Sequence, residues 1–288
     1  MIHLKSKRLE AFIHPLGAEL RSLKSLVTGL EYMWEGDPAF WGKVSPVLFP
    51  IVGSLKDNTY LFEGKSYALP RHGFAREREF KAEQPSENQA VFTLEQDEES
   101  LKSYPFPFRL QLIYEIQEET LHCTYKVHNP GDSPLWFSIG GHPAFKAPLM
   151  ANTAYQEHYL QFNVVEPLER WLLEDGLIAN QCTPLEATLG RINLDPRLFY
   201  EDAIVLKNLR SGKVTLGSTR HAHGLDFCFE GFPYLGIWAA KNAPFVCIEP
   251  WCGHADTVGH HQQLTEKPGI EKLEAGANWE RTWKVVVF

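Results

Sequence analysis

Short segments in which apolar and polar residues alternate account for most of the regular pattern along this chain. A period of two residues is typical of a strand with one buried face. The segments that show it are 90–94, 108–116, 120–127, 213–216, 234–238 and 279–287. Because only three residues separate 108–116 from 120–127, this pair predicts a hairpin, and Asn129-Pro130-Gly131-Asp132 predicts the turn that follows it.

Helical patterning is scarce. Residues 97–104 predict one short helix, and residues 37–41 predict a single turn. Strands that follow one another without helices between them form antiparallel sheets, which bury their apolar faces against each other. We therefore predict an all-β fold, a single large antiparallel β-sandwich with few short helices. No linker, repeat or shift in composition divides the chain, so residues 1–288 are expected to form one domain.

The composition excludes several classes of protein. A chain of 288 residues that is 44% hydrophobic and 22% charged has the make-up of an ordinary globular protein. The net charge is -8, the pI is about 5.8 and the basic residues are scattered, so no nucleic-acid partner is expected. No apolar run reaches transmembrane length and the N-terminal residues lack the apolar core of a signal peptide. We therefore expect a cytoplasmic protein without membrane association.

The cysteines and the missing motifs argue against a cofactor. The five cysteines are an odd number, and the apolar neighbours of Cys228 and Cys247 indicate reduced, buried thiols. Cys247, Cys252 and His254 raise the question of zinc, but their spacing matches no standard knuckle and no second pair exists. The motifs G-x-G-x-x-G, G-x-x-x-x-G-K-[ST] and G-x-S-x-G are absent. We expect neither a metal ion nor a nucleotide or redox cofactor.

Three segments, 69–76, 137–145 and 245–252, each place an ionisable residue among glycine, proline and aromatic residues. The apolar run 245–248 leads to Glu249, and Pro250 is expected to end the strand, which would leave Glu249 at a rim beside Trp251. Burial beside tryptophan raises the pKa of a carboxyl group, which makes it a better base near neutral pH. With His72 and His142 from the other two segments, Glu249 predicts an acid–base site.

Each of these residues also has a purely structural interpretation, which the residues alone leave open. Glu249 could be a buried strand-end glutamate paired with an arginine. His142 could cap a loop, and His72 could belong to a surface turn.

In chain order, these motifs resemble the aldose 1-epimerases (mutarotases) and, within that superfamily, the LacX-like branch. The set covers most of the chain, and its order makes it more specific than any one motif. The matching segments are Trp34-Glu35-Gly36-Asp37, Ser45-Pro46-Val47-Leu48-Phe49-Pro50-Ile51-Val52-Gly53, His72-Gly73-Phe74-Ala75-Arg76, Gly141-His142-Pro143-Ala144-Phe145 and Glu249-Pro250-Trp251-Cys252-Gly253. The resemblance implies a galactose-mutarotase-like β-sandwich, or supersandwich, that reversibly interconverts the α- and β-anomers of an aldose.

The resemblance also implies roles for single residues. Glu249 matches the general base, His142 the general acid, and His72 a histidine that helps to bind the substrate. Asp202 is the best match for an aspartate that contacts sugar hydroxyls, and Glu201 remains open because the register is uncertain by one. Arg76 and Trp251 are further expected substrate-binding residues. The aromatic residues near the motifs are expected mainly in the core, with one or two free to stack on a sugar: Trp34, Trp41, Phe49, Phe74, Phe145 and Trp251.

The chain departs from the family pattern at Ser54, where the family commonly has an arginine that contacts the substrate. Lys56, Arg71 or Arg76 could supply the missing donor. Without such a replacement, affinity would be weaker or the substrate would differ.

Three other functions are considered. The hexose-6-phosphate epimerase branch shares the motif at 72–76, but it typically carries Arg-Gly-Gly where this chain has Gly42-Lys43-Val44, and a phosphate favours arginine forks. A non-catalytic sugar sensor on the same fold could dispense with the acid–base pair. A glycoside hydrolase usually needs two carboxylates. The expected partner is a small-molecule sugar, bound by a monomer or a homodimer.

Overall fold

Two large antiparallel sheets face each other across a shared core in the computed structural model, which describes all residues from Met1 to Phe288. The nine-stranded sheet has the spatial order Arg191–Asn193, His158–Phe162, Lys213–Ser218, Leu225–Cys228, Asn278–Val287, Thr120–His128, Arg109–Gln117, Gln89–Glu95 and Lys81–Ser86. The eight-stranded sheet has the order Leu177–Leu185, Leu168–Glu174, Ile204–Lys207, Tyr234–Trp238, Phe245–Cys252, Ile139–Gly141 and Val47–Leu48, and its eighth strand, Ala144–Lys146, also pairs with Phe245–Cys252. The predicted all-β sandwich is confirmed.

Smaller elements surround the two sheets. The remaining strands form a three-stranded sheet and two pairs: Ile2–Lys5 with Leu9–His14 and Glu19–Ser25, Thr59–Phe62 with Lys65–Ala68, and Leu135–Phe137 with Glu271–Leu273. The single α-helix is Glu98–Ser103, and the short 3-10 helices are Lys56–Asn58, Ala75–Glu77, Tyr155–Glu157, Pro196–Phe199 and Leu264–Glu266. None of the helices has the length and apolar character needed to cross a bilayer.

The segments with alternating apolar residues form strands close to their predicted bounds. The predicted hairpin joins Arg109–Gln117 to Thr120–His128, with Thr120 opposite Gln117. The predicted helix spans Glu98–Ser103 and begins at Asp97, whose side chain accepts a hydrogen bond from the Ser100 amide. Residues 37–41 form a hydrogen-bonded turn and not a helix, since the Phe40 and Trp41 amides both donate to the Asp37 carbonyl.

One apolar cluster of 68 buried residues draws side chains from both large sheets. It explains the alternation in the sequence. Leu110, Leu112, Tyr114 and Ile116 on one strand are buried, whereas the residues between them are partly exposed. Removal of each large apolar side chain from water stabilises the fold by about 1.5–3 kcal/mol.

The Phe245–Cys252 strand continues through Pro250, so the prediction that this proline ends the strand is wrong. On one side Leu235 lies opposite Pro250. On the other side the pairing passes from Ala144–Lys146 to Ile139–Gly141, which leaves residues 248–250 without a register partner. The Ile248 amide points to that second side, where it donates to the Pro143 carbonyl. Because backbone groups alternate along a strand, the nitrogen of Pro250 faces the same gap, where no ladder donor is required.

All five cysteines are free thiols. Cys123, Cys247 and Cys252 are buried, whereas Cys228 is only half-buried and Cys182 is exposed. The prediction of buried, reduced thiols is therefore right for Cys247 and only partly right for Cys228.

Candidate active site

The gap in the sheet beside residues 248–250 is where His142 and Glu249 meet. The neighbouring chain leaves its pairing with Phe245–Cys252 after Gly140 and resumes it at Ala144, so His142 lies within the gap. The His142 amide donates to the Pro46 carbonyl at 3.1 Å, which fixes the backbone there. His142 Nε2 lies 3.3 Å from Glu249 Oε2. A feature of sheet topology therefore brings together two residues that are distant in the sequence.

Burial controls the protonation of this pair, since His142 is 8% exposed and Glu249 is 2% exposed. Burial raises the pKa of Glu249 well above its usual range, and the nearby Arg71 guanidinium opposes that rise. Burial lowers the pKa of His142 to about 3. Both shifts favour the uncharged form of each group. The pair therefore holds one proton between the carboxyl group and the imidazole, and Glu249 is favoured as its carrier.

His72 is the third ionisable residue that the sequence predicts for the site. Its ring lies edge-on to that of His142, with the centroids 5.8 Å apart. The Gly53 amide donates to His72 Nδ1 at 3.1 Å. Burial lowers the pKa of His72 well below its usual range, and the charges of His142, Arg71 and Arg76 add to the effect. His72 is therefore neutral and carries its proton on Nε2.

A cavity of about 330 Å³ opens over the three residues, a size that suits a monosaccharide. All six predicted site residues line it. The full lining is Trp41, Gly53, Arg71, His72, Arg76, His142, Leu173, Gly176, Ile178, Asp202, Ala203, Val205, Trp238, Glu249, Trp251 and Ala255. Their roles in binding or catalysis remain predictions.

Trp251 fits into the sheet because its neighbours on the adjacent strands are glycines. A Cβ atom on Gly140 would lie 2.6 Å from Trp251 Cδ1, and one on Gly236 would overlap Cζ2 and Cη2 of the same indole. Trp251 Nε1 is buried without a hydrogen-bond partner. The indole lines the cavity, and its N–H lies close enough to Glu249 to lower the pKa of that carboxyl group, against the larger effect of burial.

Two further tryptophans pack around His142. The Trp41 ring centroid lies 4.8 Å from that of His142, and the Trp238 ring meets His142 edge-on at 5.6 Å. Of the aromatic residues named from the sequence, only Trp41 and Trp251 line the cavity. The others lie in the main core: Trp34, Phe49, Phe74 and Phe145. Sequence reasoning identified Trp238 as part of a strand but missed it as a site residue, because its position depends on the order of the strands.

Asp202 lines the cavity, whereas the exposed Glu201 does not. The Asp202 carboxylate accepts a hydrogen bond from the Ala203 amide at 2.7 Å, and its carbonyl accepts one from Arg170 Nη2 at 2.9 Å. Its negative charge contributes to the raised pKa of Glu249. Of the two register alternatives, the geometry therefore favours Asp202.

The candidates to replace the missing arginine at Ser54 are placed differently. Lys56 Nζ donates to the Val258 carbonyl at 3.0 Å and does not line the cavity. Arg71 and Ser54 both lie next to Gly176, since a Cβ built on this glycine would lie 3.3 Å from Ser54 Oγ and 3.9 Å from Arg71 Nη1. Arg71 also shifts the pKa values of His72, His142 and Glu249. The sequence named Arg71 only as an alternative, and the structure shows that Arg71 and Arg76 line the cavity, whereas Ser54 and Lys56 do not.

Arg76 lies at the same wall of the cavity. Its Nη2 donates to the Arg71 carbonyl at 3.0 Å, which holds the side chain in place. Its Nε is buried without a hydrogen-bond partner, and it lies 3.8 Å from Glu77 Oε1. Burial lowers the pKa of Arg76. A ligand oxygen would satisfy this buried donor.

One wall of the cavity comes from the hairpin of Leu168–Glu174 and Leu177–Leu185, which the sequence analysis missed. A bulge between Trp171 and Leu173 disrupts the alternation that would have revealed it. The available signal was the Asp175-Gly176 turn, where both residues have positive φ. The hairpin is held by the segment that carries Asp256, whose carbonyl accepts from the Ile178 amide at 2.8 Å.

The cluster with metal-ligand spacing is not the Cys247, Cys252 and His254 group considered from the sequence. His142, Cys247 and Glu249 each place one ligand atom within 4.8 Å of the other two. His254 Nδ1 instead bonds the Ala255 carbonyl at 2.7 Å.

The fold and this cavity define a β-sandwich protein of the galactose mutarotase-like class. The chain belongs to the aldose 1-epimerase family, whose model, described as "Aldose 1-epimerase", matches residues 1–258. This confirms the family resemblance seen in the motifs.

Individual relatives agree with this assignment. The chain is 34% identical over 282 residues to "Protein LacX, chromosomal" of Lactococcus lactis subsp. lactis, which covers 94% of both proteins. It is similar to a galactose mutarotase related enzyme from Lactobacillus acidophilus, with a TM-score of 0.95, 32% identity and coverage of 99% and 96%. It is also similar to a galactose mutarotase-like protein from Lactobacillus casei ATCC 334, with a TM-score of 0.94, 32% identity and full coverage of both chains (100% each).

Proposed function

We propose that this protein is an aldose 1-epimerase that interconverts the α- and β-anomers of a hexose by acid–base ring opening and closure. The observation that carries the proposal is the 3.3 Å separation of His142 Nε2 and Glu249 Oε2 at a cavity of monosaccharide size. Membership of the aldose 1-epimerase family supports the reaction class. The identity of the sugar as a hexose is part of the proposal.

In the proposed reaction, Glu249 takes the proton of the anomeric hydroxyl and His142 gives a proton to the ring oxygen. The bond between C1 and the ring oxygen breaks, which leaves an open-chain aldehyde. Rotation about the C1–C2 bond presents the other face of the carbonyl, and both proton transfers then run in reverse. An acid or base placed in this way contributes about 10²–10⁴-fold to the rate.

The protonation of the pair suits a reversible reaction. Before ring opening the proton of the pair lies on His142, and after ring opening it lies on Glu249. Burial lowers the pKa of His142 and raises that of Glu249, so the buried site favours the second arrangement. That arrangement is the one that can accept an aldehyde and close it, and the pair gains or loses no proton overall.

The other predicted residues supply complementary contacts for hydroxyl groups. His72 Nε2 and Arg76 Nε are donors, and the Trp251 N–H lies near Glu249, where it would favour the charged form of the base. Asp202 supplies an acceptor at the cavity wall. Trp251 and Trp41 offer apolar faces for the C–H bonds of a sugar ring. We propose that His72, Asp202, Arg76 and Trp251 bind and orient the sugar.

A second candidate substrate is a hexose 6-phosphate, which one observation favours. Arg71 and Arg76 lie on the same wall of the cavity, and two guanidinium groups suit a phosphate dianion. The sequence alone gave little support for such a cluster because Arg71 could not be placed. We keep the unphosphorylated hexose as the first candidate because the chain has Gly42-Lys43-Val44 where the hexose-6-phosphate branch typically carries Arg-Gly-Gly.

The proposal is tested by following the optical rotation of freshly dissolved α-glucose, α-galactose and α-glucose 6-phosphate with and without the protein. Faster equilibration of either free hexose supports the first candidate, and acceleration of only the phosphate ester supports the second. Saturable sugar binding without acceleration would favour the non-catalytic sensor and overturn the proposal. We further propose that the protein acts on a small-molecule sugar as a monomer or a homodimer. We place the reaction in the cytoplasm.

A further inference from the structure

Cys247 lies beside the His142–Glu249 pair, and the proposed reaction does not use it. Cys247 and Glu249 are two residues apart on one strand, so their side chains lie on the same face of the sheet. One ligand atom from each of His142, Cys247 and Glu249 lies within 4.8 Å of the others, and this is the one cluster of its kind in the molecule. These three side chains are a thiol, an imidazole and a carboxyl group, all of which bind zinc.

The separation of the pair matches the geometry of tetrahedral zinc. Bonds of about 2.0–2.1 Å to nitrogen and about 2.0–2.2 Å to oxygen place two ligands about 3.3–3.5 Å apart. His142 Nε2 and Glu249 Oε2 are 3.3 Å apart. A thiolate about 2.3 Å from zinc would lie about 3.5–3.7 Å from either atom. The ligand atoms of the cluster lie within 4.8 Å of one another, so metal binding would draw the Cys247 side chain towards the pair.

Charge and ligand type both favour zinc over a harder cation. A thiolate and a carboxylate balance the two positive charges of the ion, which lowers the cost of holding it in a buried site. Thiolate and imidazole ligands select zinc over magnesium or calcium. Since His142 and Glu249 line the cavity, the fourth position of the ion is open to water from the cavity.

The surroundings distinguish this cluster from the site of a resident metal cofactor. A histidine that holds a resident metal nearly always donates its other ring N–H to a partner. His142 Nδ1 is buried without a hydrogen-bond partner. Binding would also displace the thiol proton and the proton shared by the pair into solvent, so it competes with protons. We propose that His142, Cys247 and Glu249 form a reversible zinc site whose occupation blocks the sugar site.

The site itself is tested with Co²⁺, which reports tetrahedral coordination and thiolate ligation by visible and near-ultraviolet absorption. The titration is performed on the full chain carrying Cys182→Ser, because Cys182 is an exposed thiol that could bind cobalt elsewhere. We expect saturable binding with a thiolate-to-cobalt charge-transfer band, and displacement of cobalt by Zn²⁺. Absence of saturable binding, or binding without that band, would overturn the proposal.

A matched pair of variants assigns the ligand. Cys247→Ala should abolish the charge-transfer band and weaken zinc binding at least about tenfold. Cys252→Ala should leave both unchanged, because Cys252 is equally buried on the same strand but lies outside the cluster. If Cys247→Ala fails to fold, Cys247→Ser serves in its place, since a hydroxyl gives no thiolate band. Retention of the band in a folded Cys247 variant would show that the assignment is wrong.

The inhibitory consequence rests on the proposed function and is tested separately. Zn²⁺ should inhibit mutarotation competitively with sugar, and a chelator should reverse the inhibition. Inhibition is compared with the uninhibited rate of each variant, and Cys247→Ala should need at least about tenfold more zinc for the same effect. If the protein proves inactive, the cobalt spectra still decide whether the site exists. Zinc binding that leaves the rate unchanged would overturn the claim of inhibition.

Discussion

His72 and Gly53 hydrogen-bond each other in both directions. The His72 amide donates to the Gly53 carbonyl at 2.9 Å, and the Gly53 amide donates to His72 Nδ1 at 3.1 Å. Glycine is required because φ at residue 53 is +73°, and a Cβ there would lie 2.6 Å from that of Ala255. The reciprocal pair fixes both the orientation and the tautomer of the His72 ring. His72 is therefore suited to donating a hydrogen bond from Nε2, and His142 is better placed to transfer a proton.

This difference predicts distinct effects for two matching substitutions. His142→Asn should lower kcat by at least about a hundredfold with a smaller effect on KM, because proton transfer is expressed in the transition state. His72→Asn should mainly raise KM, because the lost hydrogen bond serves binding. Steady-state mutarotation kinetics of both variants measure the two effects. The reverse pattern would exchange the roles assigned to the two histidines.

Glu249→Gln should lower the turnover number by about a hundredfold or more while the fold remains intact, because the amide cannot accept the anomeric proton. Glu271→Gln is the matched control. Burial raises the pKa of Glu271 as it does that of Glu249, but Glu271 does not line the cavity. Polarimetric rates and far-ultraviolet circular dichroism are measured for both variants. Turnover of Glu249→Gln within about threefold of wild type would remove this residue from the mechanism.

Gly236→Ala should disturb Trp251 and, through it, sugar binding. The new Cβ would overlap two atoms of the rigid indole. Overpacking of this kind costs about 1–3 kcal/mol, so the free energy of unfolding in urea should fall by that amount and KM should rise. Gly259→Ala is the control, since nothing lies within 4 Å of the added atom. A change in the free energy of unfolding below about 0.5 kcal/mol for Gly236→Ala would show that Trp251 can move aside without a large cost.

Stability should depend on pH through His254, which is buried outside the cavity. Burial lowers the pKa of His254 from 6.5 to about 3, and the charge of Lys207 adds to the effect. Between these values the unfolded chain binds one more proton at this residue than the folded chain. The free energy of unfolding therefore falls as the pH falls from about 6 to about 4, by about 1.4 kcal/mol per pH unit.

His254→Asn removes this contribution. The variant should be less stable than wild type at pH 7, because the Ala255 contact is weakened. The difference in the free energy of unfolding should then shrink steadily as the medium is made more acidic. Urea denaturation at several pH values between about 4 and 7 measures it. A difference that stays constant with pH would show that His254 has an ordinary pKa.

The sequence predicted those parts of the fold that depend on one strand at a time. Tyr234–Trp238 and the hairpin of Arg109–Gln117 with Thr120–His128 were predictable because one face of each strand is buried. Leu168–Glu174 was not, since a bulge and an exposed outer face remove the alternation. The prediction that Pro250 ends its strand was wrong because a strand tolerates proline where the neighbouring strand has a gap. A local sequence pattern does not show such a gap.

The same limit applies to the site. His72, His142 and Glu249 could be identified because unusual neighbours mark each of them locally. The choice between Asp202 and Glu201 requires knowing which of the two adjacent side chains points into the cavity, and the local sequence does not show this. The hairpin tip at Gly176 lies near both Ser54 and Arg71, which only the folded chain shows. Cys247 carried a usable signal, since residues two apart on a strand share a face.

Arg71, not a residue newly placed at position 54, should supply the donor that the family arginine would provide. Arg71→Ala should then weaken hexose binding about tenfold or more, because a charge-assisted hydrogen bond in a dry site contributes about 1.5–3 kcal/mol. Ser54→Arg should leave affinity unchanged or reduce it, since two guanidinium groups would compete for one position. Titration of glucose and galactose against both variants measures these effects.

The double variant Ser54→Arg/Arg71→Ala tests whether the two positions are equivalent. If both side chains reach the same hydroxyl, the arginine at position 54 should restore most of the affinity lost in Arg71→Ala.

A hexose 6-phosphate provides the comparison, because its phosphate would bind Arg71 and Arg76 together. Arg76→Ala should then weaken binding of the phosphate ester as strongly as Arg71→Ala does. Tighter hexose binding by Ser54→Arg in the presence of Arg71 would show that the position beside Ser54 is vacant. A loss in Arg76→Ala alone would move the donor to Arg76 and leave Arg71 without a role in hexose binding.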